Sequence, residues 1–189
     1  GIERKNKKTG WGIGLYYMLY RNQLVLTGKI NDVGAYTRTN IPNSYRAGLE
    51  LQGSHIFNKW LSVNGNISFS ENKIKNFTEY IDDYDNGGQQ TKFYKKTDIS
   101  FSPATVGAAS INIIPAKNTA INITGKYVGR QYLDNTSQRR RSLKDYYVQD
   151  LRVSYEFGHR NFKSLLVFVK ANNIFSTKYE ANGYSFSYL

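Results

Sequence analysis

The sharpest cluster of reactive side chains is a run of three arginines, Arg139, Arg140 and Arg141, inside the polar stretch 134–145. A guanidinium presents a planar fork of donors that grips carboxylate or phosphate with two bonds at once. Such a run can take up an anionic ligand, a phosphate or an acidic glycan among them. It can equally stand as a solvated loop, as charge runs usually do. A second cluster, Glu79, Asp82, Asp83 and Asp85, precedes Asn86-Gly87-Gly88. Carboxylate oxygens beside a glycine turn can hold Ca²⁺, which makes Asp82, Asp83 and Asp85 the metal candidates. The spacing departs from D-x-[DN]-x-[DN]-G, however, and acidic loops serve solubility just as well.

Catalytic chemistry finds less to work with. His55 and His159 are the only histidines, neither in HExxH or comparable ligand spacing, and no G-x-S-x-G elbow is present. Asp150 and Glu156 share a strand parity six residues apart, about 20 Å along a strand and too far for a shared acid/base pair. Arg152 lies between them on the same parity, so cross-strand charge pairing accounts for all three. The reading is a non-enzyme with no cofactor.

The elements that would place these side chains are strands. In Tyr146 to Phe157, Tyr147, Gln149, Leu151, Val153, Tyr155 and Phe157 take one parity, and Val148, Asp150, Arg152, Ser154 and Glu156 the other. A period of two marks a strand with one apolar and one wet face. Ser164 to Asn173 follows across the turn 158–163 and completes a hairpin, with His159 expected to be exposed. Leu61, Val63, Ile67 and Phe69 alternate with Ser62, Asn64, Asn66, Ser68 and Ser70 even more clearly. Ile111, Ile113, Ile121 and Ile123 are expected on the same face as these apolar residues, in a hairpin over 115–118. Trp11 to Tyr20 and Ser44 to Phe57 make two further strands. The residues 21–43, 76–102 and 133–144 read as long polar loops, while 58–59, 115–118 and 158–163 are short turns. Alternating strand direction places the short turns at one end of the sheet and the long loops at the other.

Two stretches carry a family resemblance. DLRVSYEF, a turn, a strand and then NNIFSTKY resembles the C-terminal end of TonB-dependent outer-membrane receptors, with Asn172, Asn173, Ile174, Phe175 and Tyr179 on the motif. YYMLYRNQ and the loop after it resemble an earlier strand of the same family. The resemblance implies an all-β antiparallel up-and-down meander of about seven or eight strands, forming the C-terminal part of a transmembrane barrel over residues 1–189. It implies import of a scarce nutrient of the ferric siderophore, haem or cobalamin class across the outer membrane of a Gram-negative bacterium. The implied partners are the remainder of the barrel with its plug domain, the energy-coupling TonB protein, outer-membrane lipid and lipopolysaccharide, and a small nutrient ligand. No plug domain is recognised in this chain, so its share is wall, extracellular loops and some ligand contacts.

The totals agree with that class. Only 40% of 189 residues are apolar, yet Gly and Tyr number 16 each and Pro only three. Tyr and Phe favour strands and interfaces. A barrel strand needs only about 9–11 alternating residues, so low mean hydropathy does not exclude a membrane. Aromatics near the expected strand ends (Trp11, Tyr20, Tyr45, Phe57, Trp60, Tyr127, Tyr132, Tyr147, Phe157) suit interface girdles. No cysteine is present, which removes disulfides and thiolate metal sites. The opening GIERKNKKTG lacks the apolar core of a signal peptide, so a fragment is expected. The net charge of +12 is scattered among turns rather than set on one helix or platform, so nucleic acid is not the expected partner.

The competing reading is a small closed β-barrel or sandwich that binds a ligand; a closed fold has no unpaired edge, whereas a wall has two. A wall also exposes an apolar face larger than water tolerates. The isolated chain is therefore expected not to be a stable water-soluble monomer: it should need detergent, the remainder of its barrel or pairing of its edges with another copy, as read by sedimentation in detergent-free buffer. A monodisperse monomer with cooperative unfolding would favour the closed barrel.

Overall fold

The computed structural model describes residues 1–186 apart from Tyr84, Arg160 and Asn161. The strands are β1 (Ile2–Lys5), β2 (Thr9–Ile30), β3 (Tyr36–Ile56), β4 (Leu61–Asp82), β5 (Gln89–Asp98), β6 (Thr105–Ala116), β7 (Thr119–Val128), β8 (Gln131–Tyr132), β9 (Ser142–Leu143), β10 (Tyr146–His159) and β11 (Phe162–Ala171). All but β8 and β9 join one antiparallel sheet in the order β1-β2-β3-β4-β6-β7-β10-β11, with β5 also on β4. The path leaves β1 and β11 as edges, so the sheet is an open wall. The tip of the β10–β11 turn and the expected exposure of His159 lie outside the described residues.

β5 and β6 form one interrupted strand of the wall. Phe69 pairs with Thr105, so an unbroken ladder would set Lys73 opposite Phe101; it meets Asp98 instead. Three extra residues are absorbed in the break between Ile99 and Ala104. Phe101 takes a left-handed φ of 50° there. Arg46 steadies the break by donating to Ser102 Oγ at 3.2 Å and to Asn72 Oδ1 at 3.0 Å.

The register carries the expected apolar face across the sheet. Leu61 pairs with Ile113, Ile113 with Ile121, Ile121 with Val153, and Val153 with Val169. A parallel row runs Ile13, Leu51, Ile67. On the other face Ser110 bonds Thr124, and Asn122 donates to Asn112. The band from Leu61 to Phe69 spans about 26 Å of strand, after which Glu71 and Lys73 take over the same parity. Trp11, Phe57, Trp60 and Phe157 border its short-turn end, and Tyr17, Tyr45, Tyr127 and Tyr147 its other end. Of the aromatics expected in girdles, Tyr20 has the polar-face parity and Tyr132 belongs to the β8–β9 ribbon.

Short and long connections segregate to opposite ends, as alternating strand direction requires. The stretches 21–43 and 76–102, expected to be loops, are mostly strand: β2 and β3 run to a five-residue turn at 31–35, and β4 and β5 to a turn at 83–88. The pattern faded because both faces of these extensions leave the apolar band, so nothing selects a period of two. Asn22 and Asn76 also interrupt it, with φ of 52° and 57°. After Asn76 the inward set changes parity, so that Ile74 and Phe77 join one buried cluster with Val25, Ile41 and Ile99.

Candidate ligand site at the long-hairpin end

The connection from β7 to β10 folds back over the extended hairpins and builds the most polar buried region among the described residues. Asn135 is its pin: its amide donates to Leu26 O at 2.7 Å and its Oδ1 accepts from Ser100 N at 2.9 Å. Ser137 Oγ accepts from Asp98 N at 2.6 Å and donates to Asp98 Oδ2 at 2.8 Å. Asp134 Oδ1 takes both the amide and the hydroxyl of Thr136. Each of these bonds ties the connection to β2, to the end of β5 or to the β5–β6 break, or closes its own turn, so its backbone is held from several sides.

The three arginines, which form a single 3-10 turn, are divided by this packing. Arg141 turns inward, its side chain 12% exposed, and bridges Glu79 at 2.5 Å and Asp134 at 3.0 Å. Burial opposes its charge, yet the bonds to Glu79 and Asp134 outweigh that and raise its pKa above the ordinary guanidinium value. Tyr94 donates to the second Glu79 oxygen at 2.8 Å and accepts from Gln138 at 3.2 Å. Burial first, and the Glu79 bond next, push the Tyr94 phenol pKa up. Arg139 and Arg140 stay exposed at the surface, Arg140 Nε donating to Gln138 Oε1 at 2.8 Å.

Beside the Arg141 cluster lies a cavity of about 200 Å³ lined by Thr27, Thr37, Thr39, Phe77, Asp134 and Ser185 among others. The segment after β11 closes over it. Asn173, at φ 49°, clamps Thr177 through both ends of its amide, which makes a compact turn of the Asn-Asn-Ile-Phe motif. Tyr179 then stacks on Tyr146 at 4.2 Å, Tyr36 donates to Gly183 O at 2.9 Å, and Ser185 reaches Asp134 at 3.2 Å.

The acidic group of 79–85 is pulled apart. Glu79 belongs to the Arg141 cluster, and Asp82 accepts from Gln89 at 2.7 Å. Asp83 caps its turn, accepting from Asn86 N at 3.1 Å and Gln90 at 2.8 Å, while Asp85 is exposed. Among the described residues no three acidic or histidine side chains converge as a metal group. The Asn86 amide first, and then the Gln90 and Asn86 side chains, hold the Asp83 carboxyl below its usual range. Far from this end, Asp150 pairs with Lys170 at 3.1 Å as cross-strand pairing anticipates. Arg152 instead stacks over the Phe168 ring at 4.1 Å.

Sequence reasoning found Arg141 and Glu79 but not their union, and it assigned no role to Asp134, Asn135, Tyr94 or Gln138. Arg141 and Glu79 are 62 residues apart, and no local spacing announces the pair.

A family model described as TonB dependent receptor-like, beta-barrel matches residues 1–174. No curated protein matches by sequence. Among solved structures, the siderophore receptor PiuA of Acinetobacter baumannii superimposes with a TM-score of 0.67 at 14% identity, covering 96% of this chain and 24% of that one. The ferric yersiniabactin uptake receptor FyuA of Yersinia pestis gives 0.65 at 14%, covering 97% and 25%. The ferric-catecholate import receptor Fiu of Escherichia coli K12 gives 0.62 at 17%, covering 94% and 22%. The chain thus spans about a quarter of the length of each.

Two outcomes test the site. Arg141→Ala strips the buried Glu79 and Asp134 carboxylates of their cation, a loss of roughly 3 kcal/mol. Amides of 129–145 should then exchange about a hundredfold faster, while Arg139→Ala leaves them unchanged. Because the folded Asp83 pKa is depressed, its support for the 83–88 turn is complete above the unfolded carboxylate pKa of about 4 and is lost as pH falls through the lower folded value. Exchange at the Asn86 amide, normalised for intrinsic pH dependence, should therefore be flat from neutrality to about pH 5 and rise only in acid.

Proposed function

Because the chain belongs to the TonB-dependent receptor-like β-barrel family, we propose that it is part of the wall of an outer-membrane receptor that imports a scarce nutrient, a ferric siderophore first and haem or cobalamin after it. The observation that carries this reading is the asymmetry of the wall. One apolar band of strand-spanning height separates short turns from long, internally braced hairpins, the arrangement of an outer-membrane barrel with short periplasmic turns and long external loops. The three solved structures above are named as siderophore or ferric-chelate receptors, which favours iron among the nutrients.

The residues divide the work accordingly. The apolar face meets lipid, and the Asn/Ser face with Glu50, Asp150 and Arg152 lines the lumen where a plug domain sits. Energy coupling to the TonB protein acts through that plug, and the wall supplies a rigid frame rather than bond-breaking chemistry. Residues 1–189 are the C-terminal part of the barrel on this reading. Exposed cations beyond the band, Lys75 among them, offer contacts to lipopolysaccharide. Arg139 and Arg140 are the ligand-facing pair, free to bind an anionic ferric chelate because Arg141 fixes the turn beneath them. Asp82, Asp83 and Asp85 are retained as the weak calcium candidates of the same end.

The test is binding of a ferric catecholate to the complete receptor, with growth on that chelate as sole iron source. Arg139→Ala/Arg140→Ala should weaken binding roughly tenfold, the loss of about one charge-assisted hydrogen bond. Unchanged affinity would remove the pair from the ligand's path, and failure with every ferric chelate would overturn iron as the cargo.

A further inference from the structure

We propose that the short-turn rim of the wall binds the phosphate headgroups of anionic phospholipids in the periplasmic leaflet. The proposal rests on the membrane reading above for which end faces the periplasm, and beyond it on a device that recurs at three successive turns. In each, asparagine occupies the turn and lysine stands next to it. Asn6 Oδ1 accepts from the amides of Lys8 and Thr9 at 2.9 and 2.7 Å, with Lys7 and Lys8 alongside. Asn58 Oδ1 accepts from Trp60 and Leu61, both at 2.9 Å, with Lys59 between. Asn118 takes a left-handed φ of 63° beside Lys117. At the first two turns the short asparagine side chain consumes the turn's backbone donors, at the third asparagine supplies the left-handed backbone, and the neighbouring lysine forms no ion pair among the described residues.

The charges that result are unbalanced. Arg4, Lys5, Lys7, Lys8, Lys59 and Lys117 are all exposed, and none of the six forms an ion pair among the described residues. Beyond the opposite end of the apolar band several cations do meet carboxylates: Lys29 with Asp82 at 3.9 Å, Lys73 with Asp98 at 2.6 Å, Lys96 with Glu71 at 2.8 Å and Arg141 with two, while others such as Lys75, Arg139 and Arg140 stay exposed. The acids nearest the rim, Glu3 and Glu156, share the parity of the polar face, whereas Arg4 pairs with Trp11 on the apolar one. Basic turns recur every two strands, about 10 Å apart, which is close to the screening length at physiological salt. The rim therefore acts as one cationic strip beside an aromatic border of Trp11, Phe57 and Trp60. A strip of this kind at the edge of an apolar band matches phosphate headgroups at the depth where the rings sit. Each lysine near an anionic surface favours it by roughly fivefold.

Trp11 and Trp60 are the only tryptophans of the chain, and both border this rim. The barrel that contains this wall is reconstituted in phosphatidylcholine vesicles doped with either acyl-brominated phosphatidylglycerol or acyl-brominated phosphatidylcholine at equal level. The emission of these two residues is taken as the difference from a Trp11→Phe/Trp60→Phe variant. The brominated anionic lipid should quench it roughly twofold or more strongly than the neutral one. That excess should vanish in a Lys7→Gln/Lys8→Gln/Lys59→Gln/Lys117→Gln variant of unchanged circular dichroism, and shrink in high salt. Equal quenching by both lipids overturns the proposal, as does an excess that survives the four substitutions. Sedimentation with purified peptidoglycan in the absence of any lipid preference would hand the strip to that polymer instead. Emission that fails to shift to the blue on reconstitution would overturn the membrane reading itself, and the lipid contact with it.

Discussion

Every strand of this wall must place its apolar residues on one face at the height its neighbours use. A slip of one residue would carry a strand's whole set to the wrong side. The requirement is met through rows such as Leu61, Ile113, Ile121, Val153 and Val169, in which each residue fixes the register of the next strand. Glycine lets one aromatic ring lie across the opposite face without parting the strands. A Cβ at Gly48 would meet the Tyr16 ring at 2.5 Å and the Phe69 carbonyl at 2.7 Å. The register thus needs Gly48 as much as it needs the aliphatic rows.

Beyond Phe69 the apolar band ends, and other forces take over the ordering of the hairpins. A small aliphatic cluster of Val25, Ile41, Ile74 and Ile99 is joined by hydrogen bonds from Asn135, Ser137 and Ser100. The Glu79–Arg141–Asp134 group adds a buried ion cluster, a modest net source of stability that is nonetheless costly to break by removing one partner. It joins β4 to the 129–145 connection and, with the bonds of Tyr94, Thr136 and Ser185 to the same carboxylates, holds that connection in place. The same packing leaves Arg139 and Arg140 outside, on a turn that cannot rearrange freely.

The two ends of the wall consequently differ in what they can recognise. The long-hairpin end is braced, carries buried ion pairs and is lined by hydroxyls and carboxylates around its cavity, as suits a site that holds a ligand in a set geometry. The short-turn end spends its asparagines on the backbone and leaves its lysines unmatched, which suits a diffuse anionic surface rather than a single molecule. Between them the apolar band keeps the two chemistries apart.

The amino-acid sequence by itself determined the strands wherever one face is apolar and the other wet. Leu61 to Phe69, the Ile111–Ile123 hairpin and the Tyr146–Phe157 strand each state their period within a few residues, and the DLRVSYEF and NNIFSTKY stretches carried the family. It did not determine the hairpin extensions at 21–43 and 76–102, because strand residues that leave the apolar band on both sides look locally like loops. Nor could it divide the three adjacent arginines. Their side chains are chemically identical, and only folding of the β7–β10 connection over β4 brings Glu79 and Asp134 to Arg141 alone. What tertiary structure decided was therefore every contact between residues distant in the chain, where burial and geometry select a partner that spacing along the backbone cannot specify.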